Sequence, residues 1–167
     1  LGMIERFGVT VHAFDPTPRA AAHVKQEAAG NDHYHFQPVG VWRADETVRF
    51  FVPADPRHVS HSIVNLQQTD DYFEAPCKRL STIMRELGHD RIDLLKLDVE
   101  GAEYAVLDNM LAERVSPAAL CVEFDQPAPY RRTLAMVRTL LAEGYDLVSI
   151  DRWNYTFVRA AGAGAPS

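Results

Sequence analysis

From Ile92 to Leu97 the chain is apolar at every position except Asp93 and Lys96, and it runs directly into Asp98-Val99-Glu100-Gly101. A short apolar run bounded by turn residues predicts an inner strand of a parallel sheet, buried on both faces. Ala102–Ala112 follows, with Val106 and Met110, and Leu107 and Leu111, each four residues apart. That spacing predicts a helix with one apolar stripe. Strand, turn and helix make half of a crossover unit, which limits the chain to α/β architectures.

The same alternation recurs elsewhere. Leu1–Phe7 reads as the end of a helix stopped by Gly8, and Val9–Phe14 as a strand ended by Asp15-Pro16-Thr17-Pro18. Thr17 can cap the next helix and Pro18 can occupy its first turn; that helix runs to about Ala29 and stops at Gly30-Asn31. Tyr34–Trp42 reads as one strand with Pro38 at an end or bulge, and Val41-Trp42 and Val48–Val52 as a hairpin around Asp45-Glu46. Pro53–Phe73 is polar, with a short strand expected at Ile63–Leu66, and Leu80–Leu87 is a helix ended by Gly88. Leu120–Phe124 is a strand, and Tyr130–Ala142 a helix with Leu134, Val137, Leu140 and Leu141 on one side. Tyr145–Ile150 and Asn154–Arg159 are too close together for a crossover and are expected to pair antiparallel. The expected fold is α/β: a mostly parallel sheet with an antiparallel C-terminal strand.

Composition narrows the function. The 167 residues carry a net charge of −6, so the domain lacks the bulk positive potential that draws proteins to nucleic acid. No apolar run approaches the ~20 residues that cross a bilayer, so neither nucleic acid nor membrane is expected as a partner. Two cysteines, Cys77 and Cys121, are too few for a disulfide framework and lack metal-ligand spacing, which fits a reducing, cytoplasmic setting. The chain opens at Leu1 inside an apolar pattern, so upstream material is expected. Residues 1–159 are read as one N-terminally incomplete domain and 160–167 as a flexible tail.

In an open α/β sheet, ligands bind at the carboxyl ends of the strands. Those ends carry Asp15, then Asp98 and Glu100, then Glu123 and Asp125. One such carboxylate is ordinarily a turn or cap residue; three strand ends carrying them form an acidic edge. A carboxylate in the place of Asp15 accepts hydrogen bonds from ribose hydroxyls in both nicotinamide and S-adenosylmethionine enzymes.

The string Ile92-Asp93-Leu94-Leu95-Lys96-Leu97-Asp98-Val99-Glu100-Gly101-Ala102-Glu103-Tyr104 closely resembles the signature of the FkbM-type S-adenosylmethionine-dependent methyltransferases, whose core reads roughly D-L-L-K-[IL]-D-[VI]-E-G-[AS]-E. Val11-His12-Ala13-Phe14-Asp15-Pro16-Thr17-Pro18 resembles that family's second strand. His61-Ser62-Ile63, Val122-Glu123-Phe124 and the C-terminal strand pair fall in the expected order. The family's first strand and glycine loop have no counterpart in these residues.

The resemblance implies a Rossmann-like class I methyltransferase sheet, S-adenosylmethionine as cofactor, and methylation of a hydroxyl on a small molecule or sugar. Such a displacement needs positioning more than covalent catalysis, plus a base for the hydroxyl proton. The implied cofactor contacts are Asp15 with the ribose, Gly40 and Val41 beside the adenine, and Asp98 near the methionine part. Asp98 is also the leading catalytic candidate. His61 is a candidate base, because an imidazole titrates near neutrality. Glu123 is expected to touch the acceptor rather than join Asp98 in holding a divalent cation. Gly101 allows a tight turn. Glu100 and Glu103 are read equally as helix-start carboxylates and as direct contacts. Lys96 is expected to pair with one of these carboxylates, Cys121 to be a small buried hydrophobe, and Trp42, Trp153 and Tyr155 to be core or rim packing. The rival readings are an NAD-dependent oxidoreductase and a non-catalytic binding module of the same fold.

Overall fold

A computed structural model describes residues 1–51, 71–124 and 129–160. His61, the Ile63–Leu66 segment, Asp125 and residues 161–167 lie outside the described residues. The elements are α1 (Gly2–Phe7), β1 (Val11–Phe14), α2 (Pro18–Glu27), β2 (Tyr34–Gln37), β3 (Gly40–Val41), β4 (Glu46–Phe51) and β5 (Tyr72–Lys78). They continue as α3 (Leu80–Leu87), β6 (Leu94–Leu97), α4 (Glu103–Ala112), β7 (Ala119–Glu123), α5 (Tyr130–Ala142), β8 (Tyr145–Asp151) and β9 (Asn154–Arg159). None of the described helices is long and apolar enough to cross a membrane.

The architecture is mixed α/β, and in place of the mostly parallel sheet expected, the described strands form three sheets in which parallel and antiparallel pairs are equally frequent. β1 pairs parallel with β2. β3 pairs parallel and β4 antiparallel with β5. The remaining strands form a sheet of order β6-β7-β9-β8, in which only β6 and β7 run parallel. The C-terminal pair is antiparallel as expected, with an irregularity between Leu147 and Ser149.

Local signals set most boundaries. Gly8 and Gly88 take left-handed conformations after α1 and α3, which an L side chain resists. Thr17 caps α2 by accepting from Ala20 N at 3.2 Å, and Pro18 opens the helix. The main core lies where α4 and α5 cover the β6-to-β8 sheet: Val106, Leu107 and Met110 of α4 meet Leu120 and Val122 of β7, Leu140 of α5 and Phe157 of β9.

Four more local expectations also need correcting. Tyr34–Trp42 is two strands, because Pro38 lacks the N–H a continuous ladder needs. Val41 and β4 do not form a hairpin, since β5 inserts between β3 and β4 and pairs with both. β6 is not buried on both faces: Leu97 is inside, but Leu94 and Lys96 point to the face that the described elements leave open. On α5 the buried stripe is Thr133, Met136, Val137 and Leu140, while Leu141 is exposed.

Candidate active site

The β6–β7 register pairs Leu95 with Leu120 and Leu97 with Val122. Asp98 follows the last paired residue of β6 and Glu123 follows Val122 in β7, so the register continued by one residue would bring the two side by side. Side chains alternate along a strand, so with Leu97 and Val122 in the core, Asp98 and Glu123 share the opposite face. Asp98 is exposed and Glu123 half-buried. Lys96, two residues back on the same face, places Nζ 2.7 Å from Asp98 Oδ2, the pairing expected from the sequence. An exposed ion pair is worth at most ~1 kcal/mol, so it orients Asp98 more than it stabilises the fold.

Beyond Asp98 the backbone turns sharply into α4. Glu100 has φ 50° and Gly101 φ 96°, two consecutive left-handed residues. Ala102 N donates to Val99 O at 3.3 Å. Glu103, completely buried, folds back so that its carboxylate accepts from Val99 N at 3.2 Å and from Gly101 N at 3.0 Å. Burial pushes its carboxyl above the usual range, and the backbone N–H donors oppose that rise. Of the two readings open for Glu103, the structure displays the capping one.

A second group forms around β1. Asp15 N donates to Gln37 O at 3.3 Å, continuing the β1–β2 ladder. The Asp15 carboxylate accepts from Thr17 N at 2.8 Å through Oδ1, and Oδ2 meets no partner among the described residues. Asp15 is therefore a turn residue with a half-buried carboxylate that retains acceptor capacity. The Asp15-Pro16 turn lies against Gly40: a Cβ at Gly40 would sit 3.6 Å from Pro16 Cγ, 3.1 Å from Phe50 Cζ and 2.5 Å from Cys77 Sγ. Close packing of β3 on β5 thus demands glycine at 40. Val41, half-buried, packs with Val99 against the main core, which connects this group to the β6–α4 turn.

Three features had no local signal. The Asp45 carboxylate accepts from Arg79 N (2.8 Å), Arg79 Nη2 (2.9 Å) and Thr82 Oγ1 (2.8 Å), and Arg79 Nη1 reaches Glu113 Oε1 at 2.8 Å. Those Arg79 hydrogen bonds hold Asp45 well below the usual carboxylate range. The partners are 34 residues apart, so no spacing rule could find them. His12 stacks on His35, its register partner, at 4.9 Å and meets His89 edge-on at 4.8 Å. His12 Nδ1 is buried without a hydrogen-bond partner among the described residues; burial first, then His89 and His35, lowers its pKa. Cys77 is buried, and burial pushes its thiol up to about 11, so it is a packing group and not a nucleophile.

Cys121 is half-buried with Sγ 3.7 Å from Thr156 Oγ1, less enclosed than expected. Trp42 and Tyr155 pack on the core, and Trp153 is exposed. Among the described residues no three His, Cys, Asp or Glu side chains are grouped so as to hold a metal ion.

A family model, the methyltransferase FkbM domain, matches residues 4–147. This chain belongs to the FkbM methyltransferase family. The FkbM match runs from α1 into β8 and so includes Asp15, Gly40, Asp98 and Glu123. A rat (Rattus norvegicus) protein described as probable methyltransferase-like protein 24 is 34% identical over 108 residues, 65% of this chain and 23% of that protein. The human (Homo sapiens) protein of the same description is 31% identical over 109 residues, again 65% of this chain and 23% of its own length. The matched stretch thus spans about a quarter of these relatives. No solved structure gives a significant match.

Proposed function

We propose that the protein carrying this FkbM domain transfers a methyl group from S-adenosylmethionine to a hydroxyl oxygen of a small molecule or sugar. The observation that supports the reading is the parallel β6–β7 register, which ends at Leu97–Val122 with Asp98 and Glu123 as the next residues of the two strands. Adjacent carboxylates favour a cationic donor, and either one can take a hydroxyl proton. When bound, S-adenosylmethionine supplies a methyl group on a positively charged sulfur, which leaves as a neutral thioether. Asp15 presents Oδ2, which has no partner among the described residues, to the ribose hydroxyls. Val41 lines the adenine side, and Gly40 keeps β3 close enough to β5 for that edge to form. Asp98, oriented by Lys96, faces the reacting centre, and Glu123 or His61 receives the acceptor proton. The reaction then depends on alignment more than on covalent catalysis.

The test is isothermal titration of the full-length protein with S-adenosylhomocysteine, combined with Asp15→Ala and Asp98→Ala. Asp15→Ala is expected to weaken binding at least tenfold. Asp98→Ala is expected to depress turnover more than binding. A full-length protein that binds no S-adenosylhomocysteine overturns the reading and leaves a non-catalytic module of the same fold.

A further inference from the structure

We infer that Glu103 is a positioning residue for the reaction: its buried carboxylate holds the Asp98-Val99-Glu100-Gly101 turn in the one shape that presents Asp98 beside Glu123. This rests on the methyltransferase reading above and assigns a role within the same site.

The starting point is a charge in an expensive place. Glu103 has no exposed surface, and a carboxylate removed from water costs several kcal/mol unless its oxygens are hydrogen-bonded. The hydrogen bonds recorded for its carboxylate come from the backbone, from Val99 N and Gly101 N. Both amides belong to the turn that follows β6, where strand pairing has stopped and helical bonding has not begun. Half-buried amides in such a gap need an acceptor from the protein or from solvent. Oε1 accepts from both amides and Oε2 accepts a second time from Gly101 N at 3.1 Å; the carboxylate adds charge assistance to these bonds at the start of α4.

What this stabilises is a backbone that would not persist alone. Glu100 at φ 50° lies in the left-handed region, which costs a side-chain-bearing residue ~1 kcal/mol or more, and Gly101 continues the same sense at φ 96°. Such a conformation persists where its surroundings over-determine it. Among the described residues, the Glu103 side chain, two and four residues from its donors, is one such constraint, and Ala102 N closes the turn onto Val99 O. The turn decides where Asp98 leaves the sheet. If it relaxes to ordinary geometry, Val99 shifts against the core it packs on, and Asp98 rotates away from Glu123.

The test uses Glu103→Gln, Glu103→Asp and a stability control, Val137→Ala, on the far side of the core in α5. Gln keeps the volume and one acceptor but turns an N–H group toward an N–H donor; Asp keeps the charge and loses the reach. In the full-length protein, well below each variant's Tm, Glu103→Gln is expected to lower kcat at least tenfold with a smaller change in acceptor KM. Glu103→Asp should behave similarly. Val137→Ala, with a comparable loss of Tm, should retain wild-type kinetics. If Glu103→Gln loses Tm but keeps wild-type kcat and S-adenosylhomocysteine affinity, Glu103 is structural only and the inference fails. If wild-type protein binds no S-adenosylhomocysteine, the methyltransferase reading fails and takes this inference with it.

Discussion

β7 and β1 are both strands with a parallel partner, and both deliver a carboxylate at their ends, yet they are held by different means. β7 alternates between half-buried and buried positions, with Leu120 and Val122 wholly enclosed between α4, α5 and β9. β1 is half-buried at all four positions, and α2, the helix after it, buries no residue. Glu123 therefore rises from an apolar core at close packing. Asp15 stands on a backbone ladder, a turn, a helix cap and a stack of histidines. The lesson is that the two halves of the proposed site should respond to different insults: β7 to lost volume, β1 to lost polar contacts and to pH.

The largest effect should come from the core beneath β7. Leu140→Ala removes a completely buried side chain and should cost about 2–5 kcal/mol, whereas Val24→Ala on α2 should cost less than ~1 kcal/mol. Denaturant unfolding of both variants measures the difference, and equal losses would break the comparison. Next is Gly40→Ala, whose methyl collides with Cys77 Sγ, for about 1–3 kcal/mol. Removing the sulfur in a Gly40→Ala/Cys77→Ala double variant should recover part of that loss; strict additivity would mean that the collision is not the cause.

A smaller loss, about 1–2 kcal/mol, is expected for Asp45→Ala, which deprives α3 of the acceptor at its start and Arg79 of its main partner. Because Asp45 is held below its ordinary value, its contribution is complete above about pH 4 and declines as acid protonates it. Wild type should therefore lose more stability than Asp45→Ala between pH 4 and pH 2. The smallest effect belongs to β1. The unfolded chain protonates His12 more readily than the folded one, so stability is complete above pH ~6.5 and falls as the pH drops through and below that value. His12→Phe, which keeps the ring stack, should flatten the Tm-versus-pH curve between pH 7 and pH 5. An unchanged slope would locate the acid sensitivity elsewhere.

Much of this was legible in one dimension. Gly8, Gly88 and the Thr17-Pro18 start marked helix ends because their signals are local, and the apolar spacing of α4 marked its buried face. The β6 string pointed to both the turn and the family. Strand partnership was not legible. Nothing near Glu46–Phe51 says that its partner is Tyr72–Lys78 rather than Val41, because that choice depends on which backbone edges meet in space. The Asp45–Arg79 pair and the His12–His35–His89 stack were hidden for the same reason.

Amino-acid order alone determined where helices start and stop, which residues are apolar enough to be buried, and that carboxylates follow the strands; each of these depends on neighbours a few residues away. Only the folded chain decided that Gly40 must be glycine, that Glu103 turns inward to grip its own backbone, and that β6 and β7 lie side by side in parallel. Those outcomes are set by contacts between distant segments, and packing density and backbone hydrogen bonding choose among the arrangements that local preference leaves open.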